Sequence, residues 1–168
     1  MSFICMVKTS SKFDQFVLGV MRNSFNFLIA DYDCRLVEER ISYTRTDIVY
    51  KNKATGVTVG LDQRMGAIMV DIIRLVDGEL PHISDDDYSG DMKTVHAFDF
   101  ENILKLKAPE AIVERPSIED LLCHENRETV ISEMVEKHAK VLKKYGRDVL
   151  SGDIHIFDKI AASIRKMN

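Results

Sequence analysis

Between Leu36 and Leu75 the hydrophobic period of the chain shortens to two, and turn-forming residues recur at short intervals. The runs are Leu36 to Tyr43, Asp47 to Asn52, Val57 to Asp62 and Ala67 to Leu75. Lys53-Ala54-Thr55-Gly56 and Met65-Gly66 supply breaks between them. Short β-rich runs joined by tight turns form antiparallel neighbours, so this region predicts a four-stranded meander. Its last run, Ala67-Ile68-Met69-Val70-Asp71-Ile72-Ile73, is the most continuously apolar. That composition predicts a strand placed centrally or covered on both faces.

On either side of the meander the period is helical. Ser11-Lys12-Phe13-Asp14 has the form of a helix start, a capping serine with an acid three residues on. Phe13, Phe16, Val17, Val20, Met21, Phe27 and Leu28 then predict one long helix to about Asp31. Residues 77–97 carry Pro81, two glycines and a cluster of acids, and predict a surface loop. Beyond it the pattern predicts a short helix from Phe98 to Lys107, stopping before Ala108-Pro109, and another piece from Pro116 to Leu122. A helix from Glu128 to Tyr145 follows, with Val130, Ile131, Met134, Val135, His138, Val141 and Leu142 as its stripe. A terminal helix begins at Ile154. Helix, four strands, then helices is the order of an α+β domain. The expected architecture is a four-stranded antiparallel meander packed against an N-terminal helix and C-terminal helices, as a single domain over 1–168.

Composition narrows the class. With 168 residues, 45% hydrophobic and 30% charged, the chain can bury a sizeable core and is not of disordered type. A formal net charge of −4 disfavours direct nucleic-acid binding and suits a basic partner. Cys5, Cys34 and Cys123 are odd in number and widely spaced, which predicts reduced thiols in a cytosolic protein. The opening MSFICMVKTSSK has a five-residue apolar stretch and no basic leader, so neither a secretory signal nor a membrane span is expected. The expected compartment is the cytoplasm.

The sharpest local pattern is Asp85-Asp86-Asp87-Tyr88-Ser89-Gly90-Asp91. As a calcium loop it would place Asp85, Asp87 and Ser89 at the first three ligand positions, but His96 stands where a bidentate glutamate belongs. A hydrated acidic loop, or one that meets a basic partner, fits better. His124-Glu125-Asn126-Arg127-Glu128 has half of a zinc-protease pattern, with Glu128 in place of the second histidine. Asn126 makes that stretch a helix entrance. His82 and His96 bracket the acidic loop, so a metal held by both with Asp87 is conceivable. His138 falls on or beside an apolar stripe and reads as a satisfied, partly buried imidazole. Neither a nucleophile elbow nor a phosphate-cradling glycine run is present. Lys137, Lys140, Lys143, Lys144 and Arg147 read as a solvent-facing helix surface, because Glu133 and Glu136 sit four residues before Lys137 and Lys140. Accordingly no catalytic residue, cofactor or metal site is assigned.

One family resemblance is carried by the order of motifs. Phe25-Asn26-Phe27-Leu28 and Leu36-Val37-Glu38-Glu39 are followed by Ile48-Val49-Tyr50-Lys51-Asn52, Val57-Thr58-Val59 and Met69-Val70-Asp71-Ile72. The tail carries Tyr145, Leu150, Ser151-Gly152-Asp153-Ile154 and Ile156-Phe157-Asp158. This order resembles bacterial immunity proteins encoded beside polymorphic toxins, including those of contact-dependent growth inhibition systems. The resemblance implies a non-enzymatic protein that neutralises a cognate toxin domain, often a nuclease, by stoichiometric binding. It transfers no shared residues. Under this reading Asp85, Asp86, Asp87, Tyr88 and Asp91 are the expected contacts with a basic toxin surface. The alternatives are a small metal-dependent enzyme or regulator using the His82, Asp87 and His96 region, and an adaptor subunit without catalysis.

Overall fold

The computed structural model describes residues 11–81, 96–117 and 126–167. It begins with α1 (Lys12–Ser24) and α2 (Phe27–Tyr32), then β1 (Arg35–Ile41), β2 (Arg45–Lys51), β3 (Thr55–Asp62) and β4 (Ala67–Arg74). After these come β5 (Ala97–Asp99), α3 (Phe100–Lys107), a 3-10 turn at Pro109–Ala111, α4 (Arg127–Tyr145), α5 (Arg147–Leu150) and α6 (His155–Met167). The class is α+β, and the sheet is a five-stranded antiparallel meander in the order β1-β2-β3-β4-β5.

Ser11 and Asp14 form the expected capping box: the serine hydroxyl accepts from the Asp14 N–H, and the Asp14 carboxylate accepts from the Ser11 N–H. Asp14 is nevertheless fully buried, because it also accepts from the Gln63 side-chain amide at 2.8 Å and lies 3.4 Å from the Thr46 hydroxyl. The cap of α1 thus doubles as its tie to the end of the sheet.

The expected single long helix is broken at Phe25-Asn26, where α1 ends and α2 begins. Asn23, Ser24 and Asn26 are weak helix formers whose short polar side chains compete with the backbone ladder. Met21, Phe25 and Leu28 are all fully buried, so the apolar stripe runs straight through the break. Its phase could not reveal it. Asp33, in the left-handed region at φ 54°, ends α2 and turns the chain into β1.

Four of the strands fall where the pattern placed them, within one or two residues. The fifth, Ala97–Asp99, corrects the reading of residue 97 as loop and Phe98 as the first residue of a helix. Three residues are too few to display a period. They pair with Asp71, Ile72 and Ile73, and the Asp99 side chain then caps α3 by accepting from the Glu101 N–H at 2.8 Å. β4 therefore lies inside the sheet between β3 and β5, one strand from the centre. The helical piece expected at Pro116 to Leu122 lies mostly outside the described residues, and Pro116 and Ser117 are not helical.

Helices cover one side of the sheet. Ile48, Tyr50, Val57, Val59, Leu61, Ile68, Val70, Ile72 and Phe98 alternate onto that side and are buried. Against them pack Val17 and Met21 of α1, Ile103 and Leu104 of α3, Val135 and Leu142 of α4, and Phe157 and Ile160 of α6. Asn52 locks the β2–β3 turn to this helical layer. Its carbonyl oxygen accepts from the Ala54 and Thr55 N–H groups, and its amide donates to the Tyr32 and Leu150 carbonyls. Phe157 is 1% exposed and meets Phe98 edge to face at 4.7 Å. Truncating it in Phe157→Ala should lower the free energy of unfolding by about 3–5 kcal/mol. Urea denaturation checks this, with a lower midpoint at unchanged slope as the expected result.

Candidate functional site: a carboxylate row on the far side of the sheet

The same alternation that buries the helix side sends Arg45, Asp47, Val49 and Lys51 to the far side, with Asp71 of β4 and Asp99 of β5. Register sets them in two rows. Arg40, Asp47, Gly60 and Met69 stand abreast, and Glu38, Val49, Thr58, Asp71 and Asp99 form the next row.

Arg45 crosses these rows. Its guanidinium ion-pairs with Asp47 and reaches on to Asp71 at 3.6 Å. Gly60 makes that crossing possible, since a Cβ there would come within 2.8 Å of the Arg45 Nε and Nη2 and collide with the Asp47 carboxylate. At the other end of β3, Gly56 admits the Leu80 side chain in the same way. The segment carrying Leu80 turns back through a Val76–Glu79 bridge, and buried Lys51 donates to the Gly78 carbonyl at 3.1 Å and the Glu79 carboxylate at 2.5 Å. One end of the far side is thus closed by residues 75–80, while Thr58, Met69 and Asp71 remain half-exposed.

Charges along the row do not cancel. Glu38 and Arg40 pair at 2.6 Å, and Arg45 answers Asp47. Burial raises the pKa of Asp47, of Asp71 and of Asp99 above the ordinary carboxylate value. For Asp71 the neighbouring Asp99 adds to the effect of burial, Arg45 only partly offsets it, and the value is pushed up to about 6. Burial works against the Arg45 charge, but the hydrogen bond and fields of its two aspartates prevail and hold its pKa above normal.

A pocket adjoins Asp99. It is lined by Ile68 and Met69 of β4, Glu101 of α3, Arg115 of the following stretch, and His138 of α4. The Met134 carbonyl, 2.8 Å from His138 Nδ1, can only accept, so that nitrogen carries the proton and Nε2 is the bare ring atom of the neutral tautomer. Burial lowers the His138 pKa and favours that neutral form. The sequence reading of His138 as a satisfied, partly buried imidazole agrees with this environment.

Asp85, Asp86, Asp87, Tyr88, Asp91 and His82 lie outside the described residues, as do His124, Cys5 and Cys123. His96, at the entry to β5, is described: its carbonyl accepts from the Arg74 N–H at 2.7 Å, and its Nδ1 is buried without a hydrogen-bond partner. Cys34 is a buried free thiol whose pKa burial pushes up to about 11. The lysine-rich face of α4 is held as a structural surface. Lys143 pairs with Asp31 at 2.9 Å, Lys140 lies 3.6 Å from Glu136, and Lys144 stacks over Tyr145. Among the described residues no group of three or more histidine, cysteine or acidic side chains is placed to hold a metal ion, and no helix is long and apolar enough to cross a membrane.

Sequence reasoning missed Arg45, Asp47, Asp71 and Asp99 as a group. The available signal was Asp71, an acid in the middle of the most apolar run of the chain. Comparison with protein-family models, with curated proteins and with solved structures gives no match to this chain.

The Asp71 environment has a consequence for stability. Its folded pKa, about 6, lies above the unfolded value of about 3.9, so the folded state binds the proton more tightly. Its contribution is then most favourable at low pH and is lost as pH rises from about 4 to about 6. Asp71→Asn removes that dependence. Relative to wild type the variant should gain up to about 2 kcal/mol between about pH 4 and about pH 7. Urea midpoints at the two pH values measure the gain, and an unchanged difference between the proteins would show that Asp71 is not held in this way.

Proposed function

We propose that this chain is an immunity-type protein that neutralises a basic toxin domain by direct protein–protein contact. The observation that supports this reading best is the placement of Asp71 and Asp99 side by side on β4 and β5, where Arg45 reaches Asp71 at 3.6 Å but is already paired with Asp47. The acidic stretch Asp85–Asp91 belongs, by sequence, to the connection between these same two strands. Carboxylates fixed on a rigid sheet need no reorganisation to meet a cationic surface, and they steer its approach. A nuclease domain is the partner class that such charge suits, because a surface that binds phosphate is basic.

Capture of partners from the native host, followed by expression of the captured protein with and without this chain, tests the reading. The expected result is growth arrest that co-expression of this chain relieves. Replacing Asp85, Asp86 and Asp87 together by lysine should slow association by about tenfold or more at low ionic strength, and the deficit should shrink as salt is added. Stopped-flow or surface-binding kinetics read both effects. An on-rate untouched by the triple change would remove the acidic stretch from the contact.

A second reading rests on His96. A buried imidazole nitrogen without a hydrogen-bond partner is open to a metal ion, and His96 belongs with His82 and Asp87 to the candidate metal set. Elemental analysis of the purified chain separates the two. One equivalent of a transition metal, lost in the His82→Ala/His96→Ala double variant, is the outcome expected of a metal-dependent regulator or enzyme.

A further inference from the structure

Among the described residues β1 is the outer strand of the sheet, and six of its seven residues, Arg35 to Arg40, are exposed. Leu36 and Val37 stand 39% and 37% exposed on it, beside charged residues and a bulge of the kind that ordinarily discourage pairing with other strands. The Ser42 N–H donates to the Arg45 carbonyl across the β1–β2 turn, so alternation turns the backbone groups of Glu39 and Ile41 away from β2 and outward. The irregularity in β1 is confined to Leu36–Glu38, and Glu38 to Ile41 pair regularly with β2. The outward edge is therefore regular where its backbone is available.

The charges on this edge are arranged for one particular partner. Glu38 and Arg40 are one residue either side of Glu39 and point to the same face. If a second β1 runs antiparallel with Glu39 at the centre, Glu38 of each copy lies opposite Arg40 of the other, twice over. The regular part of the edge, Glu38 to Ile41, carries this pairing, and Arg35 to Val37 lie at or beyond the irregularity. The two Glu39 carboxylates come together on the axis, but each is already neutralised in its own chain by Arg22, at 2.5 and 2.7 Å. Centring the pair one residue away in either direction sets Glu38 against Glu38 or Arg40 against Arg40, each pair repulsive. A charged edge that repels most strands thus selects its own copy in a single register.

We infer that β1 is a self-association edge, on which two copies of this chain join their sheets across a two-fold axis centred on Glu39. The inference stands independently of the toxin-binding reading, because it uses the opposite end of the sheet from Asp71 and Asp99. Sedimentation velocity on the full chain, from low to high micromolar, tests it. Wild type should pass reversibly from monomer to dimer. Glu38→Arg and Arg40→Glu, each alone, should weaken the dimer by about tenfold or more, since two opposite-charge pairs become two like-charge pairs. The Glu38→Arg/Arg40→Glu double variant restores both pairs and should restore the dimer. Circular dichroism and thermal unfolding confirm that all four proteins are folded. A wild type that stays monomeric throughout, single variants that dimerise as wild type does, or a double variant that stays dissociated would each overturn the inference.

Discussion

Burial of the helix-facing side of the sheet is the constraint on which the other features depend. Ile48, Tyr50, Val57, Val59, Leu61, Val70 and Ile72 are almost wholly removed from water, and a slip of one residue in any strand would reverse its faces. That requirement fixes the register, and register in turn decides which residues look outward on the far side. Arg45, Asp47, Asp71 and Asp99 are neighbours because their partners in the alternation are core residues. The carboxylate row is thus a consequence of hydrophobic packing, and its charge is tolerated because Arg45 reaches Asp47 and Asp71 and because Asp71 and Met69 keep some contact with solvent.

Polar side chains do the joining between layers. Asp14 links the first turn of α1 to the start of β2 and to the β3–β4 turn, and Asn52 and Thr55 link the β2–β3 turn to α2 and α5. Each of these groups is wholly or partly withdrawn from solvent and satisfied, the condition under which a polar group adds specificity instead of cost. These links meet the sheet at the ends of strands, where the ladder gives out. The body of the sheet is held by apolar contact and its corners by hydrogen bonds.

The far side of the sheet and the β1 edge are surfaces of different kind. The far side sets Asp71 and Asp99 side by side on β4 and β5, and the field of such charges falls with ionic strength. The β1 edge has near-balanced charge, set out as Glu38, Glu39 and Arg40 along one strand. A meander places these surfaces at opposite ends of one sheet without a crossover.

The amino-acid order by itself determined the class of fold, four of the five strands and the helices from Arg127 and His155, because hydrophobic periods of two and 3.6 are local and repeat over many residues. It also determined the Ser11–Asp14 cap, whose two partners lie three residues apart. Tertiary structure alone decided the break at Phe25-Asn26, where a continuous apolar stripe conceals a change of path, and strand β5, too short to show a period. It alone decided that Asp47, Asp71 and Asp99 share one face with Arg45, since residues up to 54 positions apart (45 to 99) meet only through the register of three ladders. Local pattern reports which side of a strand a residue occupies. Which residues become neighbours there depends on how strands align across the sheet, and that alignment is a property of the packed whole.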